Sequence, residues 1–385
     1  LKKKIFMLDI NHLSYWEKES YFNDIDFLII GAGITGYSCA LSLRAKNPNA
    51  KILIIERGFL PTGASSKNAG FACFGSATEI IDDLSHIEEN KVWETFEMRW
   101  RGLKNLRNLI GDEDLDLQVN GSWDLITNNE QIISRETIER LDYLNYQAEK
   151  ITQIKGVYSI DDQIETKFGF KNVNTSFHNK LEGQIDTGKM IRKLHKVVTE
   201  KNIHCLFGIE ALKIEDLESS CIINTSIGEV KANKIAICTN GFAKQFIPDE
   251  DVQPARAQVL ITKPIPNLKL KGTFHYQQGY YYFRNIHNRI LLGGGRNLDI
   301  EGETTTDFAQ TLMIQNALKD LLNNVIAPNN NYEIDYSWSG IMGVGTSKKP
   351  IIQNTSKNVA IGVRMGGMGV AIGSLVGEKT AELLA

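Results

Sequence analysis

The chain has 385 residues, of which 42% are hydrophobic, and a formal net charge of −3 at pH 7. This length predicts one large domain or two intertwined domains with an ample core, and the weak charge argues against a nucleic-acid-binding protein. The five cysteines are scattered, without a Cys-x-x-Cys or a His/Cys cluster. That spacing argues against a disulfide framework or a zinc site and favours a reducing, cytoplasmic location.

The N-terminal residues include three lysines, Lys2 to Lys4, and the apolar run that follows is interrupted by Asp9 and Asn11. Such a run is too short for a signal peptide or for a helix that spans a membrane. We therefore expect no transmembrane segment.

A strand, a glycine turn and a helix are predicted next. The apolar run Phe27 to Ile30 leads into a Gly-x-Gly-x-x-Gly motif at Gly31, Gly33 and Gly36. The first glycine permits a sharp turn, the second lets a pyrophosphate approach the backbone, and the third lets the helix pack against the strand. The helix N-terminus then offers N–H groups and partial positive charge to phosphates.

A second predicted strand favours a dinucleotide site over an ordinary glycine-rich turn. The apolar run Ile52 to Ile55 ends in Glu56, where a carboxylate can accept hydrogen bonds from ribose hydroxyls. Beyond Arg57, the stretch from Thr62 to Phe71 is rich in small residues and side-chain donors. Such a loop can offer N–H groups and hydroxyls to a phosphate or a ring edge. The glycine turn alone does not distinguish FAD from NAD.

Together these segments resemble the FAD-dependent oxidoreductases of the D-amino-acid oxidase family, which includes glycine oxidase and sarcosine oxidase. The resemblance rests on the Gly-Ala-Gly-Ile-Thr-Gly turn, on Glu56-Arg57, and on the Gly-Ala-Ser-Ser-Lys-Asn-Ala-Gly loop at residues 63–70. It extends from about residue 26 to the C-terminus and implies FAD rather than NAD. In this family the loop runs along the cofactor toward the flavin.

The middle of the chain is interpreted from periodicity and from the resemblance. Residues 79–109 have apolar positions at helical spacing, and residues 205–214 are predicted to form a strand. The resemblance places Ala211 near the adenine. It also places Thr239 and Gly241 next to the cofactor, in the turn after another buried strand.

A β-hairpin is predicted from residues 279–284 and 289–293. Because side chains alternate along a strand, Tyr281 lies on one face while Tyr280 and Tyr282 lie on the other. The resemblance places the family's active-site tyrosine at Tyr281. The alternative is a tyrosine that simply packs in the sheet.

A second glycine-rich bend precedes the C-terminal helix. A strand at residues 358–362 is followed by the bend from Arg364 to Val370 and by a helix that continues to Leu384. A glycine-rich loop between a strand and a helix can bind an anion. In the family this loop faces the pyrimidine edge of the flavin, where the helix dipole stabilises negative charge on the reduced ring.

One departure from the family concerns the substrate. Amino-acid oxidases of this family typically have Gly-Leu-Arg-Pro, whose arginine binds the substrate carboxylate, and residues 340–343 here are Gly-Ile-Met-Gly. Either the substrate lacks a carboxylate there, or another cation supplies the charge. Lys348, Lys349 and Arg364 are near in sequence. We hypothesise that Arg364 faces the substrate side of the flavin.

The reaction implied by the resemblance is oxidation of a C–N bond by hydride transfer to the flavin, with oxygen or an electron carrier as acceptor. Sarcosine-oxidase-like members have a lysine that helps the flavin react with oxygen, and residues 290–293 contain none. The sequence therefore leaves open whether the chain is an oxidase or a dehydrogenase.

An NAD-linked dehydrogenase and a flavin-binding protein without turnover are the rival functions. No catalytic side chain is assigned, and Cys73 is the one candidate for covalent attachment of an otherwise non-covalent FAD.

The predicted fold class is α/β. A Rossmann-like FAD/NAD(P)-binding domain is predicted from residues 22–85, 185–252 and 335–385. An α+β substrate domain with a mixed, largely antiparallel sheet is predicted from residues 86–184 and 253–334.

The predicted substrate-pocket residues are Tyr281, Met342, Lys348, Arg364 and Met365. The predicted cofactor contacts are Gly31, Gly33, Ile34, Thr35, Gly36, Glu56, Arg57, Ala64, Ser65, Ser66, Lys67, Asn68, Gly70, Phe71, Ala211, Thr239, Gly241, Gly366, Gly367, Met368, Gly369 and Val370. No metal ligand is predicted, and the partners are a small amine or amino acid and an electron acceptor.

Overall fold

The computed structural model describes residues 9–327 and 331–385. The lysines at positions 2–4 lie outside the described residues. Two large β-sheets and a set of helices form a mixed α/β structure, which confirms the predicted fold class.

The strands are, in chain order, β1 Ile25–Ile30, β2 Ile52–Glu56, β3 Phe71–Ala72, β4 Ser122–Ile126, β5 Tyr158–Ile160, β6 Thr175–Asn179, β7 Gly183–Gln184, β8 His204–Phe207, β9 Ala211–Asp216, β10 Cys221–Thr225, β11 Gly228–Ile237, β12 Gln253–Thr262, β13 Thr273–Tyr276, β14 Tyr281–Ile286, β15 Arg289–Gly294, β16 Ile334–Val344, β17 Ile351–Asn354 and β18 Val359–Val363. The α-helices are α1 Tyr15–Glu17, α2 Ile34–Lys46, α3 Ala64–Lys67, α4 Ala77–His86, α5 Glu89–Ile110, α6 Asp112–Leu115, α7 Gln131–Glu139, α8 Leu141–Thr152, α9 Ile164–Phe168, α10 Thr187–Glu200, α11 Leu312–Leu321 and α12 Gly369–Leu384. Short 3-10 and π-helical turns occur at Ile10–His12, Lys18–Phe22, Asn128–Glu130, Asn240–Gln245, Arg296–Leu298 and Leu322–Ile326.

The first sheet has the strand order β17-β18-β11-β1-β2-β8. The five strands from β18 to β8 are parallel, and β17 is antiparallel at the edge. Strands β9 and β10 extend it as an antiparallel ribbon beside β11. The carboxyl ends of β1 and β2 therefore lie next to each other, and this places the glycine turn beside Glu56.

Helices α2 and α12 pack on one face of this sheet, and α5 covers α12. Glycines make both contacts close: a Cβ on Gly377 of α12 would lie 2.4 Å from the carbonyl oxygen of Thr35, and one on Gly102 of α5 would lie 2.3 Å from that of Ala371. The C-terminal helix is thereby held directly against the helix that follows the glycine turn.

The second sheet has the order β16-β12-β15-β14-β13-β4-β6-β5. All its pairs are antiparallel except β13 with β4, so it is mixed and largely antiparallel. One face packs on α11 and α9 in an apolar core that includes Phe274, Phe283 and Ile314. The other face contacts the loop after β2, through Val259 and Leu291 against Ala69.

The structure changes three predicted boundaries. Residues 335–344 belong to β16, which pairs along its length with β12, so this segment lies in the second sheet and not with residues 345–385. The helix predicted at 79–109 is two helices, because Ile87 is extended between them. The strand predicted at 205–214 is β8 and β9, separated by a turn at Gly208 with φ +76°.

Among the described helices, none combines the length and apolar character that a membrane crossing requires.

Candidate cofactor and substrate site

One cavity of about 720 Å³ runs between the two sheets. At one end it is lined by the glycine turn and the carboxyl end of β2, and at the other by β13, β14 and β16 of the second sheet. The C-terminal bend, residues 365–371, lines it between these ends. The two glycine-rich bends, which are more than three hundred residues apart in the chain, therefore face the same space.

The glycine turn has the geometry that its sequence predicts. Gly31 has φ +108°, and a Cβ there would lie 2.9 Å from the carbonyl oxygen of Cys238. A Cβ on Gly36 would lie only 1.9 Å from the carbonyl oxygen of Gly31, so no side chain fits where the helix crosses the strand end. At Gly33 a Cβ would meet Ser65 Oγ at 2.8 Å, so this glycine also makes room for the next loop.

Glu56 is buried at the end of β2 and bonds to the backbone on both sides of it. Its Oε2 accepts a hydrogen bond from the Ala32 N–H at 3.0 Å, and its Oε1 accepts one from the Gly58 N–H at 3.1 Å. Each carboxylate oxygen has two lone pairs, so both can accept a further hydrogen bond from a hydroxyl. Glu56 lines the cavity, so its carboxylate can bind a ribose while it also fixes the backbone of the turn.

The loop at residues 63–70 lies across the start of α2. Ser65 Oγ accepts the hydrogen bond of the Ile34 N–H at 3.0 Å, one of the donors that a helix N-terminus leaves free. The Arg57 guanidinium lies 3.7 Å from the centroid of the Phe242 ring, and Lys67 Nζ lies 5.1 Å from that of Phe308. These two cations are thus held near aromatic rings at the cavity wall.

The C-terminal bend is held in place by the amide of Asn240. Asn240 Oδ1 accepts hydrogen bonds from the N–H groups of Arg364 at 3.0 Å and Met365 at 3.2 Å. Gly366 and Gly367 follow with φ +56° and +83°, and α12 begins at Gly369. The helix N-terminus lines the cavity and presents its free N–H groups and partial positive charge there.

The structure brings most predicted cofactor contacts together. Those lining the cavity are Gly31, Gly33, Ile34, Thr35, Glu56, Arg57, Ala64, Ser65, Lys67, Asn68, Phe71, Ala211, Thr239, Gly366, Gly367, Met368, Gly369 and Val370.

Four others lie off the cavity, because they shape the backbone behind it. Gly36 packs against Gly31, and Ser66 Oγ donates hydrogen bonds to the carbonyl oxygens of the loop that contains it. A Cβ on Gly70 would lie 2.5 Å from the Ile185 carbonyl oxygen, and one on Gly241 would lie 2.4 Å from a carbonyl oxygen of β16. These four residues therefore support the backbone around the cavity, and their contact with the cofactor stays a prediction.

Among the predicted substrate-pocket residues, Met342, Lys348 and Met365 line the cavity. Lys348 Nζ is paired with Glu79 at 2.8 Å and with Asp83 at 2.7 Å. Burial alone would raise the pKa of Glu79, but Arg99 and Lys348 together hold it well below its usual value. Since two carboxylates already neutralise Lys348, it is a poor anchor for a substrate carboxylate.

Tyr281 does not line the cavity, which corrects that prediction. It is buried in the apolar core on the α11 face of the second sheet. The alternation along β14 was predicted correctly, but the opposite face looks into the cavity. Tyr280 and Tyr282 line it instead.

Arg364 also lies outside the cavity, which corrects the hypothesis that it faces the substrate. Its Nη1 donates to Asp251 Oδ2 at 2.8 Å, and its Nε and Nη2 donate to the carbonyl oxygen of Lys349. Its backbone has φ +65°. Arg364 therefore fastens the C-terminal bend to neighbouring loops.

Sequence reasoning missed an aromatic wall at the second-sheet end of the cavity. The Phe71 ring lies 5.4 Å from the His275 ring and 5.7 Å from the Tyr282 ring, both edge-on. His275 Nε2 is buried without a hydrogen-bond partner in the described part of the chain. Burial raises the pKa of Tyr282 to about 12, so its hydroxyl stays protonated. The alternation along β14 could have indicated that Tyr282 lies opposite Tyr281, but it does not show which of the two faces lines the cavity.

Buried acids lie behind this wall. Cys73, Glu182 and His275 place ligand atoms within 4.8 Å of one another, close enough for a metal ion. However, burial raises the pKa of the Cys73 thiol and of the Glu182 carboxyl, which favours the protonated forms that do not bind metals. A protonated Cys73 is also a poor nucleophile for covalent attachment of a cofactor.

Comparison with known proteins identifies the family. A model of the FAD dependent oxidoreductase family, DAO, matches residues 26–383. The chain belongs to this family. The predicted family is thereby confirmed, and the chain is an oxidoreductase.

Curated relatives match most of the chain in sequence, and solved structures share its fold, at low identity. The chain is 22% identical to the probable oxidoreductase OrdL of Rhizobium meliloti, over 93% of this chain and 82% of that protein. It is 21% identical to the gamma-glutamylputrescine oxidoreductase of Escherichia coli, over 93% and 83% of the two chains. Glycine oxidase from Bacillus cereus superposes with a TM-score of 0.74 at 15% identity, covering 93% of this chain and 94% of that chain. L-proline dehydrogenase from P. horikoshii gives 0.73 at 16% identity, covering 94% and 93%.

The cavity fits FAD, the cofactor of the family. It is lined by the N-terminal ends of both α2 and α12, the kind of helix end that can bind a phosphate, and by Glu56 at the end of β2, where a carboxylate can bind a ribose. Thr239 Oγ1, at the cavity wall next to the glycine turn, is buried and has no hydrogen-bond partner within residues 9–327 and 331–385. A ligand hydroxyl or phosphate would satisfy it.

Proposed function

We propose that this chain oxidises the C–N bond of a small amine or amino acid, with non-covalently bound FAD as its cofactor. The observation that supports this most directly is the single cavity that connects the two glycine-rich bends to the aromatic wall of the second sheet. The oxidised product would be an imine, which water hydrolyses to a carbonyl compound and ammonia, or to a carbonyl compound and an amine when the substrate nitrogen is substituted.

At the cofactor end, the backbone would do most of the binding. The Thr35 N–H, in the first turn of α2, would bind the pyrophosphate, with Ser65, which already accepts from the Ile34 N–H, beside it. Glu56 would bind the adenosine ribose, and Arg57 and Ala211 would flank the adenine. These roles are proposed from position and from the family pattern.

At the other end of the cofactor, α12 would lie against the flavin. The bend at Gly366 and Gly367 would let the backbone come close to the ring edge, and the helix N-terminus would stabilise negative charge on it. The chemistry that FAD supplies when bound is acceptance of a hydride.

At the substrate end, the chain would bind the amine and exclude water. Phe71, Tyr282 and His275 give an apolar wall that favours the unprotonated amine, the form able to donate a hydride. If the amine arrives protonated, His275 Nε2, buried without a partner in the described residues, is placed to take the proton that the amine must lose before it can donate a hydride. Met342 and Met365 complete the apolar lining.

The printed names of the relatives agree with this substrate class. The similar proteins include a glycine oxidase, an L-proline dehydrogenase and a gamma-glutamylputrescine oxidoreductase. All three names denote oxidation of an amino acid or an amine derivative. We carry that class, but none of the individual substrates, over to this chain.

A second candidate is the same oxidation with an electron carrier in place of oxygen. Residues 290–292 of β15 are buried aliphatic side chains, where sarcosine-oxidase-like enzymes have a lysine. Without that cation, the reaction with oxygen would lack one source of acceleration. A dehydrogenase is therefore the alternative that we retain.

An anaerobic panel of amines and amino acids tests the proposal. We expect the purified protein to be yellow and at least one compound to bleach its flavin absorbance. Rapid recolouring when the reduced protein is mixed with air-saturated buffer would identify an oxidase, and recolouring only with a quinone would identify a dehydrogenase. Bound FAD that no compound in the panel bleaches would contradict the proposed function and favour a non-catalytic FAD-binding protein.

A further inference from the structure

Arg296 is a cation at the substrate end of the cavity. Within the described residues it forms no ion pair, and the nearby Glu303 is itself paired with Arg256. Arg296 follows β15, after Gly294 and Gly295 with φ +124° and +78°, and begins the turn Arg296–Leu298. The Gly295 N–H donates to the Tyr280 carbonyl oxygen at 2.9 Å, which fixes this turn to the start of β14. Both Arg296 and Tyr280 line the cavity.

Most N–H donors of the Arg296 guanidinium have no hydrogen-bond partner in the described chain. Within the described residues, its one hydrogen bond is from Nη2 to Thr304 Oγ1, at 3.3 Å. Nε is buried without a partner, and so is the side-chain oxygen of the adjacent Asn297, whose amide can rotate to present its nitrogen. Buried donors without partners are rare in native proteins, and they point to a ligand.

Two of the other cations near the cavity already have carboxylate partners. Lys348 is paired with two carboxylates, and Arg364 with Asp251. Arg57 and Lys67 form no ion pair in the described chain, and each lies over an aromatic ring instead, Phe242 for Arg57 and Phe308 for Lys67. Arg296 differs from them because its buried Nε has no partner of either kind.

We propose that Arg296 binds the carboxylate of the substrate, in place of the arginine that Met342 replaces. This inference rests on the proposed function and narrows its substrate class from amines in general to amino acids or other amines that have a carboxylate. A guanidinium presents two parallel N–H groups that match a carboxylate in a bidentate pair. Burial lowers the pKa of Arg296 from its usual value, but an arginine remains charged at neutral pH.

The arrangement also explains how Met342 is tolerated. A carboxylate buried beside Met342 would lack a partner, and burying an unpaired charge is strongly unfavourable. An anchor on the turn after β15 supplies the charge from a different strand of the same sheet. Arg296 is therefore proposed as a specificity-determining residue of this chain.

The first test measures ligand binding without turnover. Benzoate and acetate are titrated into the holoprotein, with benzamide and acetamide as uncharged controls, and dissociation constants are taken from calorimetry and from changes in the flavin spectrum. We expect at least one acid to bind tightly enough to measure, and Arg296→Gln to weaken it about a hundred-fold, as for loss of one partner of a buried charge pair. The amides should bind both proteins equally.

Three further variants separate Arg296 from its rivals. Arg135→Gln, on the exposed face of α7, is the surface control and should bind the acid as the wild type does. Lys348→Gln tests the neighbouring cation and should retain the preference for acid over amide, because Glu79 keeps Arg99 as a partner. Arg296→Lys should recover part of the lost affinity, since it restores the charge but not the bidentate geometry.

The outcomes distinguish this inference from the proposed function. If neither acid binds the wild type, or if Arg296→Gln binds the acid normally or loses FAD instead, the role of Arg296 is overturned. Acid binding that depends on Arg296, with no amine able to bleach the flavin, would support the anchor while the proposed oxidation fails. Bleaching by an amino acid at least ten-fold more efficiently than by its decarboxylated amine, with that preference lost in Arg296→Gln, would support both.

Discussion

The two ends of the cavity are built in different ways. At the cofactor end, the cavity is lined by the first turns of α2 and α12 and by their glycine bends, and each bend is continuous in sequence. At the substrate end, the cavity is lined by side chains from β13, β14, β16 and the turn after β15, which come from separate strands. Backbone geometry can be recognised from a local motif. A side-chain constellation depends on which face of a sheet is covered, and this is decided by distant residues.

The first prediction concerns stability of the substrate half. Arg256 and Glu303 form a bidentate, buried ion pair, with Nε to Oε2 at 2.8 Å and Nη2 to Oε1 at 2.9 Å. Arg256→Met leaves the Glu303 carboxylate buried without its cation, and we expect the free energy of unfolding to fall by about 3–5 kcal/mol. Denaturant unfolding of the holoprotein measures it.

Lys263→Met is the matched control, because Lys263 and Glu333 form an exposed pair in the same sheet region. Its effect should be within about 1 kcal/mol. An equal loss in the free energy of unfolding for both substitutions would contradict the prediction, because the buried pair would then matter no more to stability than the exposed one.

The second prediction concerns backbone packing at the cofactor end. In Gly36→Ala the new Cβ would lie 1.9 Å from the carbonyl oxygen of Gly31, so the helix or the turn must move. We expect a loss of stability of about 1–3 kcal/mol, as in other overpacked sites, together with weaker retention of FAD. The FAD content after gel filtration and the unfolding midpoint report the two effects.

Gly188→Ala, in the first turn of α10, makes the same chemical change where the nearest atom to the new Cβ is Asp186 Oδ1 at 3.2 Å. It should leave FAD content unchanged, since Gly188 does not line the cavity and the contact needs a shift of only a few tenths of an ångström. If Gly36→Ala binds FAD as well as this control does, the close approach of helix and strand is not essential to the cofactor end.

The third prediction tests the face of β14 and has the smallest effect. Tyr282→Phe removes a hydroxyl at the cavity, and we expect kcat/KM for the best amine of the panel to change by up to about ten-fold, the value of one hydrogen bond. Tyr281→Phe, one residue away but in the core, should leave kcat/KM within about two-fold. A larger change in kcat/KM for Tyr281→Phe than for Tyr282→Phe would instead support Tyr281 as the active-site tyrosine of the family.

Much of the cofactor end could be read from the sequence alone. Steric rules require glycine where Gly31 turns and where Gly36 touches the strand, and the carboxyl end of a parallel strand places Glu56 beside them. The same reasoning identified the bend before α12 as a possible anion site. The structure confirms the geometry of the glycine turn and places both bends at the cavity, because each depends on residues within about one strand-turn-helix unit. Anion binding at the second bend stays a prediction.

Only the tertiary structure decided the substrate end. Alternation along β14 places Tyr281 and Tyr282 on opposite faces, but the packing of α11 on one of them determined which tyrosine reaches the cavity. Likewise, the sequence shows that Lys348, Arg364 and Arg296 are cations, whereas their partners Glu79 and Asp251 come from distant segments. Whether a charge is neutralised or free depends on contacts that sequence spacing does not encode, and this is why Arg296 was found only in the folded chain.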